Sequence, residues 1–419
     1  MKVYSPWIVF GAFWGAWGAS IPAVRDQAGV TDAQLGYALL FIGLGALPAM
    51  AFVGRAIDRW GVRVTAVTII LLGLTGPAAI LAAHNLPALC GGLLVIGATS
   101  GAADVAINAL SADAENKAAK PVIARSHATF SAAVVGGSVL TGLSTAVDAP
   151  VVLPFALVLV GALAAGFFLV GRHPTHAPVL GEWAGPDEGA RLGEGARLGE
   201  GDGLSDGSGL PERGSQRVAL VARQAGRLAV LPLVTVGMVA ALAFAVENAH
   251  QSWSAVFLHD VLGSGAGLSA AAPAVFAAVA SVARFVSGDL SRRHPRGMLL
   301  GGGAAAMAGT ALVAVSDHLV VALVGLAVAA GGTAILYPTL ISAALSGIDG
   351  TRRGRATSRV ATTAYLGFLA GPVFVGFFAD ADGLRTAFLA VAAVAGLFTC
   401  LAAPVVSLTR REGRAIRHP

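Results

Sequence analysis

Twelve apolar stretches recur along this 419-residue chain, separated by short polar breaks and by one long one. A helix crosses the hydrocarbon of a bilayer with about 20 mostly apolar residues, and lipid tolerates no unpaired backbone. The pattern therefore predicts an all-α membrane protein of twelve transmembrane helices. They fall near 5–24, 33–54, 63–83, 87–111, 122–146 and 150–171, then near 228–250, 268–288, 298–316, 319–345, 357–379 and 385–408. The long break, 172–227, holds a tandem hexapeptide, Gly189 to Glu194 and the same six again at 195–200. Its Gly-, Glu- and Arg-rich surroundings cannot bury a core, which predicts a disordered linker.

The two sets of six spans match at an offset of 233–234 residues. Arg25-Asp26 with Gly29 recurs as His259-Asp260 with Gly263. Asp58-Arg59 and Arg63 recur as Ser291-Arg292 and Arg296, and Arg125 and Gly137 as Arg359 and Gly371. These matches sit at corresponding span ends. The chain thus reads as two parallel six-helix pseudo-repeats, 1–171 and 228–409, joined by the cytoplasmic linker 172–227 and followed by a cytoplasmic tail, 410–419.

Composition sharpens this. Apolar residues make up 56% of the chain and charged residues 12%, against roughly 45–50% and 25% in soluble domains. So little charge cannot coat a water-facing surface, and most of the surface must face lipid. The net charge of +5 does not point to nucleic acid, because the basic residues cluster between apolar runs. With both termini inside, 26 of the 28 Lys and Arg fall on the cytoplasmic side, and only Arg25 and Arg385 fall outside. Lys and Arg are retained on that side, so a multi-pass protein of a bacterial cytoplasmic (inner) membrane is expected. Met1 to Ser5 lead into a retained first span without a small-residue cleavage site. Cys90 and Cys400 form neither a disulfide framework nor a metal site, and no cofactor is expected. The expected partners are the lipid bilayer, a small solute and protons, with the chain acting as a monomer.

Between spans two and three, Gly54-Arg55-Ala56-Ile57-Asp58-Arg59-Trp60-Gly61-Val62-Arg63 resembles the signature loop of the major facilitator superfamily, lacking one basic residue at Val62. Gly54 is expected to let two helices approach closely. Asp58 sits near a helix end, Arg59 and Arg63 are expected to pair with acids or helix C-termini across the halves, and together these residues are expected to latch the cytoplasmic gate in the outward-open state. In the degenerate second copy Ser287 and Ser291 replace Gly and Asp, and Arg284 and Asp289 are expected to substitute. A purely structural turn is the plain alternative. Three more stretches resemble the YbjJ-like branch of that superfamily, related to the fucose permeases: Trp17 to Asp26; Asp104 to Asn108 with Glu115 and His127; and Glu247 with Trp253 to Leu258. The resemblance implies the major facilitator fold and proton-coupled transport of small solutes, without naming the solute.

Ionisable residues inside a bilayer cost a few kcal/mol or more and mark functional sites. Two acids lie well within spans, Asp104 and Glu247. Asp104 shares a face of span four with Asn108, read as about two turns from the cytoplasmic end. A carboxylate there, closed off and wetted in turn, can carry a proton, and the resemblance to fucose permeases implies the same. A structural clamp to Arg125 or His127 is the alternative. In span seven, Glu247, His250, Gln251 and Ser254 fall at i, i+3, i+4 and i+7, flanked by Asn248 and Trp253. Hydrogen-bonding groups beside an aromatic plate suit a polar, hydroxylated or amine-bearing solute. Glu247 either binds a cationic group or carries the proton, unless the segment lies at the outer water interface. His127 is a third proton-coupling candidate, with hydrogen bonding at the cytoplasmic end as its first reading. Trp14, Trp17, Tyr337 and Tyr365 are candidate cavity residues, with packing or interfacial anchoring as the alternative. In span eleven, Gly367 to Pro372 is similar to the Gly-x-x-x-Gly-Pro motif that drug/proton antiporters carry in span five, whereas span five here, at Gly136-Gly137-Ser138, lacks the proline.

These readings predict a secondary active transporter, a proton-coupled symporter of a small polar, sugar-like solute working by alternating access. The alternative is a proton-driven efflux carrier for drug-like or secondary-metabolite molecules. A mostly apolar, aromatic cavity favours efflux, and hydrogen-bonding groups facing Glu247 across the cavity favour the first reading. A third is a non-transporting receptor or scaffold that works through the linker. An enzyme is not expected: the chain holds no phosphate-cradling Gly loop, no His-x-x-x-His spacing and no supported Ser/His/Asp arrangement.

Overall fold

A computed structural model describes residues 3–118, 122–171, 230–345 and 350–415, and all regular structure among them is helical. The predicted linker 172–227 and residues 416–419 of the predicted tail lie outside the described residues. Helix α1 spans Tyr4–Ala28, α2 Asp32–Trp60, α3 Val62–Ala82, α4 Leu86–Ala118, α5 Val122–Ala146 and α6 Val152–Val170. Then come α7, Val230–Asp260, a single-turn helix at Ala266–Ser269, α8, Ala271–Arg293, α9, Pro295–Val315, and α10, Leu319–Leu345. The last helical stretch, Gly350–Ala415, is broken at Gly383, where φ is 85° and ψ 164°. Only glycine adopts that conformation without strain, so the stretch is two helices, α11 (350–382) and α12 (384–415). Eleven stretches are long and apolar enough to cross a membrane, and the one at Ala356–Ala402 contains both α11 and α12. Twelve spans result among the described residues.

Predicted and observed spans coincide end for end in α5 and α10. Several others run longer, α2 to Trp60, α4 to Ala118 and α7 to Asp260, while α6, Val152–Val170, is shorter than its predicted span. The apolar pattern marks where hydrocarbon ends, whereas a helix stops only where its terminal backbone groups find other partners. At the end of α1 the N–H of Gly29, in the left-handed conformation, takes up the carbonyls of Arg25 and Asp26. Three residues on, Thr31 and Gln34 form a reciprocal capping box that starts α2.

The internal repeat is a repeat in packing. In the first half α1 packs on α5, α2 on α4 and α3 on α6; in the second, α8 packs on α10, and α9 on α10 and the α11–α12 stretch. Gly137 of α5 lies so close to the Ala12 carbonyl of α1 that a methyl group there would overlap it. Gly371 of α11 repeats the arrangement, its absent methyl falling 2.8 Å from the Ala245 carbonyl of α7. Between the halves, α5 meets α8, and Gly36 of α2 abuts Gly376 of α11. The outer surface carries exposed Phe167, Leu231 and Phe285, side chains suited to lipid and not to water.

Candidate functional site

Odd-numbered helices start at one end of the molecule, called here the basic end because Arg55, Arg59, Arg63, Lys117, Arg125, Arg292 and Arg296 gather there. At the far end the turns that leave α1 and α7 come together. The Arg25 guanidinium, only 13% exposed, donates to Asp26 (2.9 Å), to Asp32 (3.0 Å) and to both carboxylate oxygens of Asp260 in the other half. His259 Nδ1 lies 2.7 Å from Asp260 Oδ1. Thus the repeat-related pairs Arg25-Asp26 and His259-Asp260 meet across the pseudo-twofold axis and hold this end shut. The second basic residue of the far end, Arg385, is also engaged: it donates to the Ala314 and Ser316 carbonyls (2.8 Å each) and to Asp317 (2.7 Å).

Breaking this clamp has a defined consequence. Charge-assisted bonds of this kind contribute about 1.5–3 kcal/mol, so Arg25→Ala is expected to raise the far-end-open population roughly ten- to hundredfold. Spin labels on the α1–α2 and α7–α8 turns would report it as a longer-distance population. An unchanged distance distribution would show that apolar packing alone closes this end.

Inside the closure the halves enclose a cavity of about 380 Å³. One wall, from the first half, is largely aromatic and aliphatic: Phe10, Trp14, Trp17 and Ile21 of α1, Ile42 of α2 and Phe130 of α5, with Asp104 of α4. The other wall is more polar and comes from Glu247, Asn248, Gln251 and Ser252 of α7, Ser281 and Arg284 of α8, and Tyr365 of α11. Arg284 Nη2 donates to Glu247 Oε1 at 2.6 Å, Gln251 Nε2 donates to the same oxygen at 3.2 Å, and Arg284 Nε reaches the Ala334 carbonyl of α10. Asn248 Nδ2 donates to the Phe368 carbonyl (2.6 Å) and so ties α7 to α11. Asp104 accepts from Asn108 Nδ2 (3.1 Å) and has no ion pair among the described residues.

The sequence reading is corrected at several points. Asp104 is not clamped to Arg125 or His127. It lies 14 positions before Ala118, about four turns into α4 from its basic end, not two. Glu247 lines the cavity and is not an outer-interface residue. His250, Ser254 and Trp253 do not line the cavity beside it. Successive helical residues turn by about 100°, so Asn248, Gln251 and Ser252 follow Glu247 to one side while His250 sits about 60° to the other. His250 is buried in the second bundle between Phe276 and Phe388, with Nε2 2.8 Å from Thr310 Oγ1 and Nδ1 3.4 Å from Ser254 Oγ. Trp253 is fully buried, away from the cavity. Asn108 positions Asp104 without lining the cavity, and His127, at the basic end, faces the Trp7 ring at 4.8 Å. Tyr337 stacks on Phe244, which lines the cavity in its place.

The proposed gate residues are dispersed in this state. A methyl group at Gly54 would meet open space, so no close helix approach occurs there. Asp58, Arg59 and Arg63 are exposed and form no ion pair among the described residues; the Arg59 guanidinium lies over its own neighbour Trp60. Asp289 pairs with Arg292 on its own helix, and Arg284 belongs to the cavity and not to the gate. Phe10, Phe130 and Arg284 were missed as cavity residues. Two of the three left a signal: Phe10, Trp14, Trp17 and Ile21 follow a one-face helical spacing, and Arg284 is an isolated cation inside an apolar span.

Comparisons with known proteins agree with the fold. The family model described as Major Facilitator Superfamily matches residues 7–349, and the chain belongs to that family of transporters. A transporter designated y4wD of Sinorhizobium fredii (strain NBRC 101917 / NGR234) is 27% identical over 411 residues, covering 96% of this chain and 98% of that one. An MFS-type transporter of Yersinia pestis is also 27% identical, over 417 residues, covering 96% and 94%. A crystal structure of a mutant nucleoside transporter NupG superimposes with a TM-score of 0.72 at 13% identity, covering 96% of this chain and 98% of that one.

Proposed function

We propose that the protein is a proton-coupled secondary transporter that carries a small solute with a polar edge and an apolar body by alternating access. The observation that carries this reading is Asp104: a carboxylate lining the cavity between the halves, with no basic partner among the described residues. A charge so placed is costly in a membrane, and taking up a proton relieves it when the cavity closes. The resemblance of the Asp104 and Glu247 stretches to the fucose-permease-related branch supports the same assignment. Solute hydrogen bonds are supplied by the α7 and α8 wall, and apolar contact by α1 and α5.

In this proposal the basic end faces the cytoplasm of a bacterial inner membrane. Residues 1–171 and 228–409 rock as two domains of a monomer about a tether at 172–227, with 410–419 as a tail. With the far end clamped, the cavity faces the cytoplasm. In the opposite state Asp58, Arg59 and Arg63 close the basic end against the end of α8 that carries Asp289.

A second reading, proton-driven efflux, draws on the aromatic wall opposite Glu247. Both readings require coupling. A thermal-shift panel on the purified protein identifies a binding solute, and its flux in liposomes is then followed with an internal pH dye. Proton movement stoichiometric with solute flux is expected. Flux indifferent to collapse of the pH gradient would remove proton coupling, and no flux of any bound solute would favour the receptor alternative.

A further inference from the structure

We propose that the cavity takes an organic monocation, an amine or quaternary ammonium with an apolar or aromatic body, and exchanges it one-for-one with a proton at Asp104. This rests on the transporter reading above and adds to it the charge class of the solute and the sense of coupling.

The argument is a count of charge. Three side chains that carry charge at neutral pH line the cavity: Asp104, Glu247 and Arg284. Glu247 and Arg284 cancel at 2.6 Å, and the second guanidinium edge is spent on the Ala334 carbonyl. What remains is one negative charge on Asp104, met among the described residues only by the amide of Asn108. An amide dipole orients a carboxylate but leaves its charge uncancelled, and a closed cavity of low dielectric demands a counter-cation. Two such cations exist, a proton and a positively charged solute, and one carboxylate cannot hold both.

The neighbours of Asp104 do not change the count. Across the cavity, Tyr365 of α11 is within its electrostatic reach and carries no charge at neutral pH. On the helices packed against α4, Arg55, Asp58 and Arg59 of α2 and Arg63 of α3 are exposed at the basic end, as are Arg125 and His127 of α5, whereas Asp32 of α2 pairs with Arg25 at the far end. Those of α1 (Arg25, Asp26) are held in the far-end clamp. An anionic solute would find no free cation in the cavity. A polyhydroxylated neutral solute would lose hydrogen bonds against the first-half wall, which the aromatic side chains of Phe10, Trp14, Trp17 and Phe130 line. Ring faces attract a desolvated ammonium, so both the charge and the body of an organic cation have partners here.

The exchange balances. At the open cavity the cation binds ionised Asp104; after reorientation it leaves and a proton takes its place for the return. One positive charge crosses in each direction, so the cycle moves no net charge, and it is driven by a pH gradient and not by membrane potential.

The test uses the full-length protein and three probes of one shape: 2-phenylethylamine, 2-phenylethanol and 3-phenylpropanoate. Binding is read from tryptophan fluorescence, since Trp14 and Trp17 line the cavity. At mildly alkaline pH the amine is expected to bind at least about tenfold tighter than the other two, weakening about tenfold per pH unit as protons compete. Asp104→Asn is expected to erase both the preference and the pH dependence, while an unaltered size-exclusion profile of the purified variant reports that it still folds. In liposomes, 2-phenylethyl-trimethylammonium is expected to move against protons and to ignore an imposed potassium-diffusion potential.

Absence of an amine preference, or a preference that survives Asp104→Asn, overturns the charge class. Movement of cation and proton in the same direction overturns the exchange. If the alcohol binds best and moves with protons, the transporter reading stands while this inference falls; if no bound solute moves at all, both fall.

Discussion

Replacing Asp104 with Asn is expected to reduce proton-driven transport in liposomes by roughly 5- to 150-fold, the range spanned by a coupling free energy of about 1–3 kcal/mol. The substitution keeps the shape of the side chain and its approach to Asn108, while removing the only cavity carboxylate without a basic partner among the described residues. An amide cannot exchange a proton, so the gradient loses its point of attachment. Glu247→Gln acts differently. It strands the Arg284 guanidinium, which Glu247 holds at 2.6 Å, and cancels the net negative charge that the cavity presents to a solute. Its expected signature is a change in which solutes bind, with proton drive retained. Unchanged proton-driven uptake in both variants would remove both acids from the mechanism.

Substitution of Gly367 by Ala is expected to destabilise the protein by about 1–3 kcal/mol, the usual cost of overpacking, or more. A methyl group there would overlap the Ala241 carbonyl of α7, which is backbone and cannot rotate away. The helices must separate, and the Asn248–Phe368 bond between them is made by the residue next to Gly367, at the cavity wall. Loss of thermal stability should therefore come with weakened solute binding. Gly301→Ala is the matched control: its methyl group meets nothing within 4 Å, and alanine favours helix over glycine by up to about 1 kcal/mol. Thermal unfolding of the purified variants in detergent separates the two. Equal midpoints for both would mean that α7 and α11 tolerate a wider spacing than their packing implies.

Much of the architecture was legible before any coordinates. Spans are long, uninterrupted apolar runs and lipid admits no other backbone, so their number and approximate places follow from local composition. The repeat was legible as well, because Arg25-Asp26 and His259-Asp260, or Gly137 and Gly371, mark equivalent ends and contacts in both halves. The site was only half legible. Asp104, Glu247, Gln251, Trp14, Trp17 and Tyr365 were named and do line the cavity, whereas His250, Trp253 and Tyr337 were named and do not.

By itself, then, the sequence determined the solvent of this protein, its twelve helices, its duplication and the isolated charges that had to be accounted for. Only the tertiary structure decided which of those charges were already cancelled. Arg284, expected at a gate, neutralises Glu247; Arg25, an exception to the charge rule, clamps the far end; and of the charged side chains described as lining the cavity, Asp104 is the one without an ion pair. The reason is range. Helix formation and membrane burial depend on residues within a turn or two, while ion pairs such as Arg25–Asp260 join positions more than two hundred residues apart, and nothing in a local pattern says which distant partner a charge will meet.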